Sequence, residues 1–288
     1  MAKTIDQGFN EFLSRLTPSA TESEAAKNHR ASIKSCLERN WGMTNFFRTG
    51  SFGNGTNIKG YSDVDYFAVI PRDNLSSNSN VSLTKIRNTL NDRFPNTGVR
   101  VNTPSIVLPF GVNNKETTEV VAADYMRKGK GNNVYDIANS SNGWMKSSPS
   151  THNAYVRDVN STLGNKVKPL IRFIKAWKYF RNVPILSFYL ELRVTKYAEG
   201  ESYISYSVDI YRFLKFLIDN NLPSIQDPTG ISGLIQPCKT DLQKEDALSK
   251  LNTAFTRATN AREAEISGDI KNAFYWWNLL YDNNFPSY

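Results

Sequence analysis

The sequence predicts an α+β fold, with helices and a mixed sheet in the N-terminal half and helices in the C-terminal half. Two observations lead to this class. Short strand-like runs bounded by glycine and proline lie in the first half, and from Tyr155 onward apolar side chains recur at helical spacing. With 288 residues, 40% of them hydrophobic, the chain can form a large core. We expect a cleft between the two halves.

The first forty residues predict two helices that precede the sheet. Apolar side chains at helical spacing define a helix over 5–16, which Pro18 ends. A second helix is predicted over 24–39, and either Thr21 or Ser23 can supply its N-cap.

The sequence pattern in the middle of the chain predicts the strands of the sheet. A glycine-rich stretch at 50–56, GSFGNGT, is interpreted as a loop. The predicted elements that follow are a strand over 64–70, a helix over 83–94, and strands over 99–110 and 117–123. Residues 127–153, rich in glycine, asparagine and serine, are predicted to be mostly loop. Helical periodicity then continues to the end of the chain, with breaks at Pro184, at Gly200 and over 222–238.

The net charge and the small numbers of cysteine and histidine limit the kinds of function that the chain can have. Lysine and arginine number 35 against 27 aspartate and glutamate, and the net charge of +8 suits a polyanionic partner such as a nucleotide or nucleic acid. Cys36 and Cys238 cannot form a disulfide framework and lack the spacing of a zinc site, and His29 and His152 are too few for a histidine metal site. Without a membrane-length apolar run or the apolar segment of a signal peptide, the chain is expected to be cytoplasmic.

The most informative short stretch is Ser62-Asp63-Val64-Asp65, at the start of a predicted strand. Because side chains alternate along a strand, Asp63 and Asp65 project from the same side. Two such carboxylates repel each other unless a cation lies between them. Magnesium, which prefers oxygen ligands and often holds substrate phosphates, is the natural candidate. Taken alone, the pattern is also typical of a solvated turn.

A second feature, the pair Gly50-Ser51, lies just before the acidic pair, with Ser51 twelve residues before Asp63. Glycine lets a backbone approach a phosphate closely, and successive amide groups can bind an anion. The Ser51 hydroxyl adds a donor. A Gly-Ser pair alone is weak evidence, but its combination with the acidic pair indicates a nucleotide phosphate site.

The string GSFGNGTNIKGYSDVDYFAVIP resembles the polymerase-β-type nucleotidyltransferases, and is similar to the bacterial cGAS/DncV-like members (CD-NTases), especially those of clade E. The resemblance extends from about Arg48 to the C-terminus. It implies a polymerase-β-like nucleotidyltransferase core with a mixed β-sheet and a helical C-terminal half, bilobed around a central active-site cleft. The implied domains are a core with N-terminal helices at 1–154 and a helical domain at 155–288 that closes the cleft.

The same resemblance implies the metal ligands. Asp63 and Asp65 would bind two magnesium ions, while Gly50 and Ser51 would hold the donor triphosphate. The family has a third carboxylate on a later strand, and the segment TEVVAA places Glu119 there, where many relatives carry aspartate. Asp124, five residues on, would face the opposite way along the strand. Without the resemblance, Glu119 is equally typical of a solvated strand residue.

A basic helix supplies the remaining candidates. In KVKPLIRFIKAWKYFR, at 166–181, the side chains of Lys168, Arg172 and Lys175 share one helical face, which by itself is also typical of a solvated basic surface. The resemblance implies that Lys175 and Ser187 contact the donor triphosphate. Phe188 lies where a relative carries an aromatic residue that stacks on a base, although it could equally be a core residue.

The reaction implied by the resemblance is attack of a ribose hydroxyl on the α-phosphate of a nucleoside triphosphate, with release of pyrophosphate, assisted by Mg²⁺ or Mn²⁺. A second reaction would close the product into a ring. The expected product is a cyclic dinucleotide made from substrates such as ATP and GTP, and it would activate a separate effector protein in bacterial anti-phage signalling.

We expect the enzyme to be a monomer that needs no membrane and no stable nucleic-acid partner. Three alternatives stay open because one fold serves many functions. They are a synthase of linear oligonucleotides, an enzyme that adds nucleotides to RNA, and a catalytically inactive nucleotide-binding protein. Mass spectrometry of the product distinguishes the first two from a cyclising enzyme, because they make linear chains rather than a ring. Pyrophosphate release distinguishes an active enzyme from the inactive protein.

Overall fold

The computed structural model describes residues 3–18, 24–61, 63–111, 116–129 and 132–288. The chain forms two compact units. The helical unit contains the residues up to Pro18, the short segment Thr56–Lys59, and Tyr155–Tyr288. The sheet unit contains the described residues that follow Pro18 up to Gly55, together with Gly60–Ala154.

Over the described residues, the sheet unit contains a seven-stranded mixed sheet. Its strands are β1 (Asn45–Arg48), β2 (Val64–Val69), β3 (Arg100–Asn102), β4 (Ser105–Phe110), β5 (Glu116–Gly129), β6 (Asn132–Ala138) and β7 (Trp144–Ser147). The strand order is β1-β2-β5-β4-β3, with β6 beside the second half of β5 and β7 beside β6. Strands β2 and β5 are parallel, and the other pairs are antiparallel.

Helices cover one face of this sheet. The unit contains α2 (Glu24–Trp41), α3 (Gly50–Asn54), a 3₁₀ turn (Arg72–Asn74) and α4 (Ser79–Arg93). Ile33 of α2 and Ile86 of α4 are buried in one cluster with Val120 and Ala122 of β5. Because side chains alternate along a strand, the intervening β5 residues, Glu119 among them, lie on the opposite face.

The helical unit encloses one large hydrophobic core, to which aromatic and aliphatic side chains both contribute. Its elements are α1 (Ile5–Leu16), α5 (Pro149–Thr162, which begins in the sheet unit), α6 (Val167–Phe180), α7 (Ser187–Ala198), α8 (Tyr206–Asp219), the hairpin of β8 (Ile225–Gln226) and β9 (Leu234–Ile235), α9 (Asp241–Ile266) and α10 (Ile270–Leu280). Phe9 and Phe12 of α1 pack on Phe173 of α6, with ring centroids 5.1 and 5.8 Å apart. Helix α1, expected in the N-terminal core, therefore belongs to the helical unit. Among the described helices, none is both long and apolar enough to cross a bilayer.

The predicted α+β class is confirmed, with a mixed sheet and a helical C-terminal half. The predicted helices over 5–16 and 24–39 are confirmed as α1 and α2, the latter ending at Trp41. Thr21 and Ser23, the two candidate N-caps of α2, lie outside the described residues.

Other element predictions need correction. The strand predicted over 99–110 is a hairpin of β3 and β4, which turns at Thr103-Pro104 because proline has no N–H for a sheet ladder. The stretch 50–56 contains the short helix α3 rather than only loop. The prediction that 127–153 is mostly loop is wrong, since β5 extends to Gly129 and is followed by β6, β7 and the start of α5.

Candidate active site

The glycine stretch and the acidic strand meet at Gly50 and Asp65. The amide of Thr49 donates a hydrogen bond of 2.9 Å to the carbonyl oxygen of Asp65. Gly50 has φ +60°, and a Cβ at this position would lie 1.9 Å from Oδ2 of Asp65. Only glycine therefore allows the Asp65 carboxylate to lie directly against the backbone at the start of α3.

A second carboxylate lies beside Asp65 on the neighbouring strand. In the parallel pairing of β2 and β5, Asp65 is in register with Glu119, and adjacent strands lie about 4.8 Å apart. Both residues are half-buried, and Oε2 of Glu119 accepts a hydrogen bond of 2.8 Å from the hydroxyl of Ser105. Asp63, two residues before Asp65, is exposed and immediately precedes β2. The sheet thus brings Asp65, Glu119 and the glycine stretch together.

The donor set suits a hard divalent cation, because all three candidate ligands are carboxylates. Asp65 and Glu119 are neighbours in the register, as a shared metal ion would require. Among the residues that the structure describes, however, no three His, Cys, Asp or Glu side chains converge closely enough to hold a metal ion. The residue types and the backbone fit magnesium, whereas the side-chain conformations shown here do not assemble a complete three-carboxylate site.

Asp124 lies apart from these residues. It alternates with Glu119 along β5, on the face of Val120 and Ala122, and is in register with Asp136 of β6. The Asp124 side chain is buried. Burial raises the pKa of its carboxyl, and the positive charge of Arg72 opposes that rise. This position separates Asp124 from Asp65, as expected from strand alternation.

Lys175 is not on an exposed basic face, which corrects the sequence interpretation. Its side chain is 0% exposed, and its Nζ forms an ion pair of 2.7 Å with Oε1 of Glu191 in α7. The reason is the central position of α6, which is buried on almost all sides between Leu170 and Trp177. Direct contact of Lys175 with a triphosphate stays a prediction.

The remaining basic side chains of α6 are partly buried. The Nε of Arg172 donates a hydrogen bond of 3.2 Å to the carbonyl oxygen of Asn57, and burial lowers the pKa of Arg172. The pKa of Lys168 is lowered by burial first and then by the neighbouring charges of Arg157 and Arg172. Lys168 and Arg172 are therefore partly desolvated cations, and the charge of Arg172 disfavours the protonated form of Lys168.

Ser187 and Phe188 begin α7 in the helical unit. The Ser187 hydroxyl lies 3.2 Å from the hydroxyl of Tyr179. Phe188 is 42% exposed, so the alternative that it is a core residue is wrong. Stacking of Phe188 on a base, and contact of Ser187 with a triphosphate, stay predictions.

Ser105 and Glu191, which contact candidate site residues directly, were missed at the sequence level. Ser105 binds Glu119, and Glu191 pairs with Lys175 while accepting a hydrogen bond from Thr56. Ser105 could be found only from the register of β4 on β5. No periodicity links Glu191 to Thr56, which is 135 positions away in the chain.

A family profile provides the first comparison with known proteins. The profile described as the Second Messenger Oligonucleotide or Dinucleotide Synthetase domain matches residues 3–160, more than half of the chain. The matched range contains Gly50, Ser51 and the three candidate carboxylates. A search of curated proteins finds no significant match.

Solved structures share the fold. CdnC of E. coli MS115-1, determined with ATP, has a TM-score of 0.73 at 14% identity, and the match covers 98% of both chains. DncV of Escherichia coli, bound to 3′-deoxy GTP, has a TM-score of 0.72 at 13% identity over 98% of this chain and 95% of that one. The CdnE cyclic dinucleotide synthase of Elizabethkingia meningoseptica, with GTP and Apcpp, has a TM-score of 0.63 at 17% identity, over 87% and 97%. At these identities the likeness shows the fold.

Proposed function

We propose that this protein is a metal-dependent nucleotidyltransferase that makes a cyclic oligonucleotide. The chain belongs to the family of second messenger oligonucleotide or dinucleotide synthetases, because the profile of that family matches more than half of its sequence. The expected membership of the cGAS/DncV-like nucleotidyltransferases and the polymerase-β-like fold are confirmed. The assignment to clade E stays a prediction, because CdnC, CdnE and DncV all share this fold.

One observation carries the proposal. The Asp65 carboxylate lies against Gly50 and in register with Glu119, so a phosphate held at the Gly50-Ser51 amides would be next to two carboxylates. Repulsion between carboxylates and phosphate makes this arrangement unfavourable without a cation. The arrangement suits an enzyme in which a cation, carboxylates and a nucleotide phosphate act together.

In the proposed reaction, a ribose hydroxyl attacks the α-phosphorus of a nucleoside triphosphate and gives up its proton to solvent. A new P–O bond forms, the bond from the α-phosphorus to the oxygen bridging to the β-phosphate breaks, and pyrophosphate leaves. Asp63, Asp65 and Glu119 hold the divalent ions, Mg²⁺ or Mn²⁺, which when bound neutralise the phosphate charge and orient the displacement. Backbone amides at Gly50 and Ser51 orient the triphosphate, and this positioning contributes to the rate. Ser187, with Lys175, is proposed to hold the triphosphate tail, which requires Lys175 to leave the buried ion pair with Glu191 that this structure shows.

We propose that a second reaction of the same type closes the linear intermediate into a cyclic dinucleotide. Two solved structures with the same fold support this step: CdnE is described as a cyclic dinucleotide synthase, and DncV of Vibrio cholerae as a cyclic AMP-GMP synthase in complex with the linear intermediate 5′ pppA(3′,5′)pG. The proposed role of the product is to activate a separate effector protein during phage infection.

Pyrophosphate release tests the enzyme assignment. The purified wild-type protein, given the four nucleoside triphosphates, should release pyrophosphate with Mg²⁺ or Mn²⁺ and not with EDTA. The double variant Asp63→Asn/Asp65→Asn should be folded and inactive, whereas Asp92→Asn, at an exposed aspartate of the same unit, should keep wild-type activity. Full activity in the folded double variant contradicts the assignment.

A catalytically inactive nucleotide-binding protein is the second candidate. The observation in its favour is that, within the described residues, the three carboxylates do not converge into a metal site. The two candidates differ in one result. Nucleotide binding by calorimetry without pyrophosphate release, with either metal ion, supports the inactive protein.

A further inference from the structure

A buried polar network lies in the core of the helical unit, and one of its members belongs to the segment Thr56–Lys59. Oε1 of Glu191 accepts hydrogen bonds from both Nζ of Lys175, at 2.7 Å, and the hydroxyl of Thr56, at 2.6 Å. Lys175 and Thr56 are 0% exposed and Glu191 is 7% exposed. One carboxylate oxygen thus joins α6, α7 and a segment distant from both in sequence.

The charge balance of this network explains why Glu191 is the central member. A buried ammonium or carboxylate is unfavourable unless it is paired and hydrogen-bonded. Lys175 and Glu191 neutralise each other, and the Thr56 hydroxyl satisfies a further position on the same oxygen. Thr56 is therefore bound by a charge-assisted hydrogen bond, which is stronger than one between neutral groups.

Further contacts hold the same segment. The carbonyl of Asn57 accepts a hydrogen bond from Arg172, Ile58 is buried in the aromatic and aliphatic core, and the amide of Lys59 donates to the carbonyl of Leu16 at 2.9 Å. Each of these partners lies in the helical unit.

The position of the segment in the chain gives these contacts a consequence. Thr56 follows Ser51 by five residues, and Lys59 precedes Asp63 by four. The chain leaves the sheet unit after Gly55 and returns to it at Gly60. Only four residues separate the Gly50-Ser51 pair, and three separate Asp63, from a segment that is held in the core of the helical unit.

We propose that Glu191 is a positioning residue, which through Thr56 fixes the segment Thr56–Lys59 and thereby the geometry of the Gly50-Ser51 pair and of Asp63. This inference rests on the proposed function for its catalytic consequence, but not for its structural one. Glu191 acts here through Thr56 and Lys175, and no contact between Glu191 and a substrate is invoked.

Hydrogen–deuterium exchange of the nucleotide-free full chain tests the structural part. Thr56→Val removes the hydroxyl and keeps the Lys175–Glu191 pair, while Thr56→Ser restores the hydroxyl. Thr195→Val is the matched control, because the fully buried Thr195 hydroxyl donates to the backbone carbonyl of Glu191 and not to its carboxylate.

In peptides covering residues 50–61, Thr56→Val should raise the exchange rate by about two- to tenfold, the change expected for one lost hydrogen bond. Thr56→Ser should restore the wild-type rate, and Thr195→Val should leave this peptide unchanged. Equal rates in Thr56→Val and the wild type, or an equal rise in Thr56→Val and Thr195→Val, overturn the proposal.

Steady-state kinetics test the catalytic part. Thr56→Val should lower kcat about tenfold or more, because misplaced reacting groups slow the chemical step, while the nucleotide KM changes much less. Thr56→Ser should recover the wild-type kcat, and Thr195→Val should retain it. An unchanged kcat in Thr56→Val overturns only the catalytic part of the proposal, namely that the segment positions the reacting groups. Absence of pyrophosphate release from the wild type instead overturns the proposed function, and the exchange measurement then decides whether Glu191 and Thr56 fix the segment.

Discussion

Replacing Gly50 by alanine places a methyl group where the Asp65 carboxylate now lies. The new Cβ would be 1.9 Å from Oδ2 of Asp65, and ordinary contact begins at 3.4 Å. The carboxylate and the glycine backbone must therefore separate by about 1.5 Å. A displacement of about 1 Å at a catalytic group can cost on the order of 100-fold in rate, or about 2.7 kcal/mol of activation free energy.

Gly98→Ala is the matched control for this substitution. Gly98 lies in the same unit and also has a left-handed backbone, with φ +72°, but within the described part of the chain a Cβ there meets nothing within 4 Å. Both alanine variants lose about 1–2 kcal/mol of stability through left-handed strain. Only Gly50→Ala should lose activity.

The assay is pyrophosphate release at saturating nucleotide and Mg²⁺, together with thermal unfolding of each variant. We expect kcat of Gly50→Ala to fall about 100-fold and kcat of Gly98→Ala to stay within about threefold of wild type, a difference of less than 1 kcal/mol. A folded Gly50→Ala protein with the same kcat as Gly98→Ala would refute the placement of Gly50 against a catalytic carboxylate.

Three further predictions concern the carboxylates and the buried ion pair. Glu119→Gln should remove nearly all turnover and Asp124→Asn much less, and the reverse ranking in folded variants would move the third metal ligand to Asp124. The pKa of Asp124 is raised above 3.8, so folded Asp124 keeps its proton to higher pH than in the unfolded chain, and wild-type stability falls as pH rises through this range. Asp124→Asn lacks this titration, so its Tm relative to wild type should increase between pH 4 and pH 7, and a constant difference would contradict the burial effect. Lys175→Met leaves the Glu191 carboxylate buried without its ammonium partner, and it should lower the free energy of unfolding in urea by about 3–5 kcal/mol. The double variant Lys175→Met/Glu191→Leu should recover most of that loss. Equal stability of the wild type and Lys175→Met would argue against a Lys175–Glu191 ion pair.

Much of the sheet and part of the candidate site follow from local sequence rules. The period of two along a strand predicts that Asp124 is turned away from Glu119, whereas a shared face of Asp63 and Asp65 stays a prediction because β2 begins at Val64. The parallel register that puts Asp65 beside Glu119 is a long-range property of β2 and β5, and no local pattern contains it. Sequence reasoning therefore identified the candidate carboxylates Asp65 and Glu119, but it could not show that they lie side by side on neighbouring strands.

The environment of α6 shows where sequence reasoning fails. Arg172 and Lys175 are three positions apart, so helical periodicity assigns both to one basic face. The structure separates them, because α7 packs on α6 and supplies Glu191 as a buried partner for Lys175. A lysine at a helical position with no local acidic neighbour gives no sequence signal for such a contact.

The strands β6 and β7 were missed for a related reason. They lie in the stretch 127–153, whose richness in asparagine, glycine and serine is typical of loops. Tyr135 and Ile137 nevertheless lie on either side of the polar Asp136, and both are buried. Pairing of β6 with the extended end of β5 compensates for weak local propensity, since packing and pairing decide strand formation more than composition does.

Mass spectrometry of the reaction products tests the central claim most directly. Purified protein is incubated with the four nucleoside triphosphates and Mg²⁺, and the products are treated with phosphatase before analysis. We predict a phosphatase-resistant product whose mass equals that of its nucleoside monophosphates less one water for each, formed together with pyrophosphate and absent in Asp63→Asn/Asp65→Asn. A ladder of phosphatase-sensitive linear oligonucleotides would contradict the cyclic product, and a folded protein that releases no pyrophosphate with Mg²⁺ or Mn²⁺ would contradict nucleotidyl transfer itself.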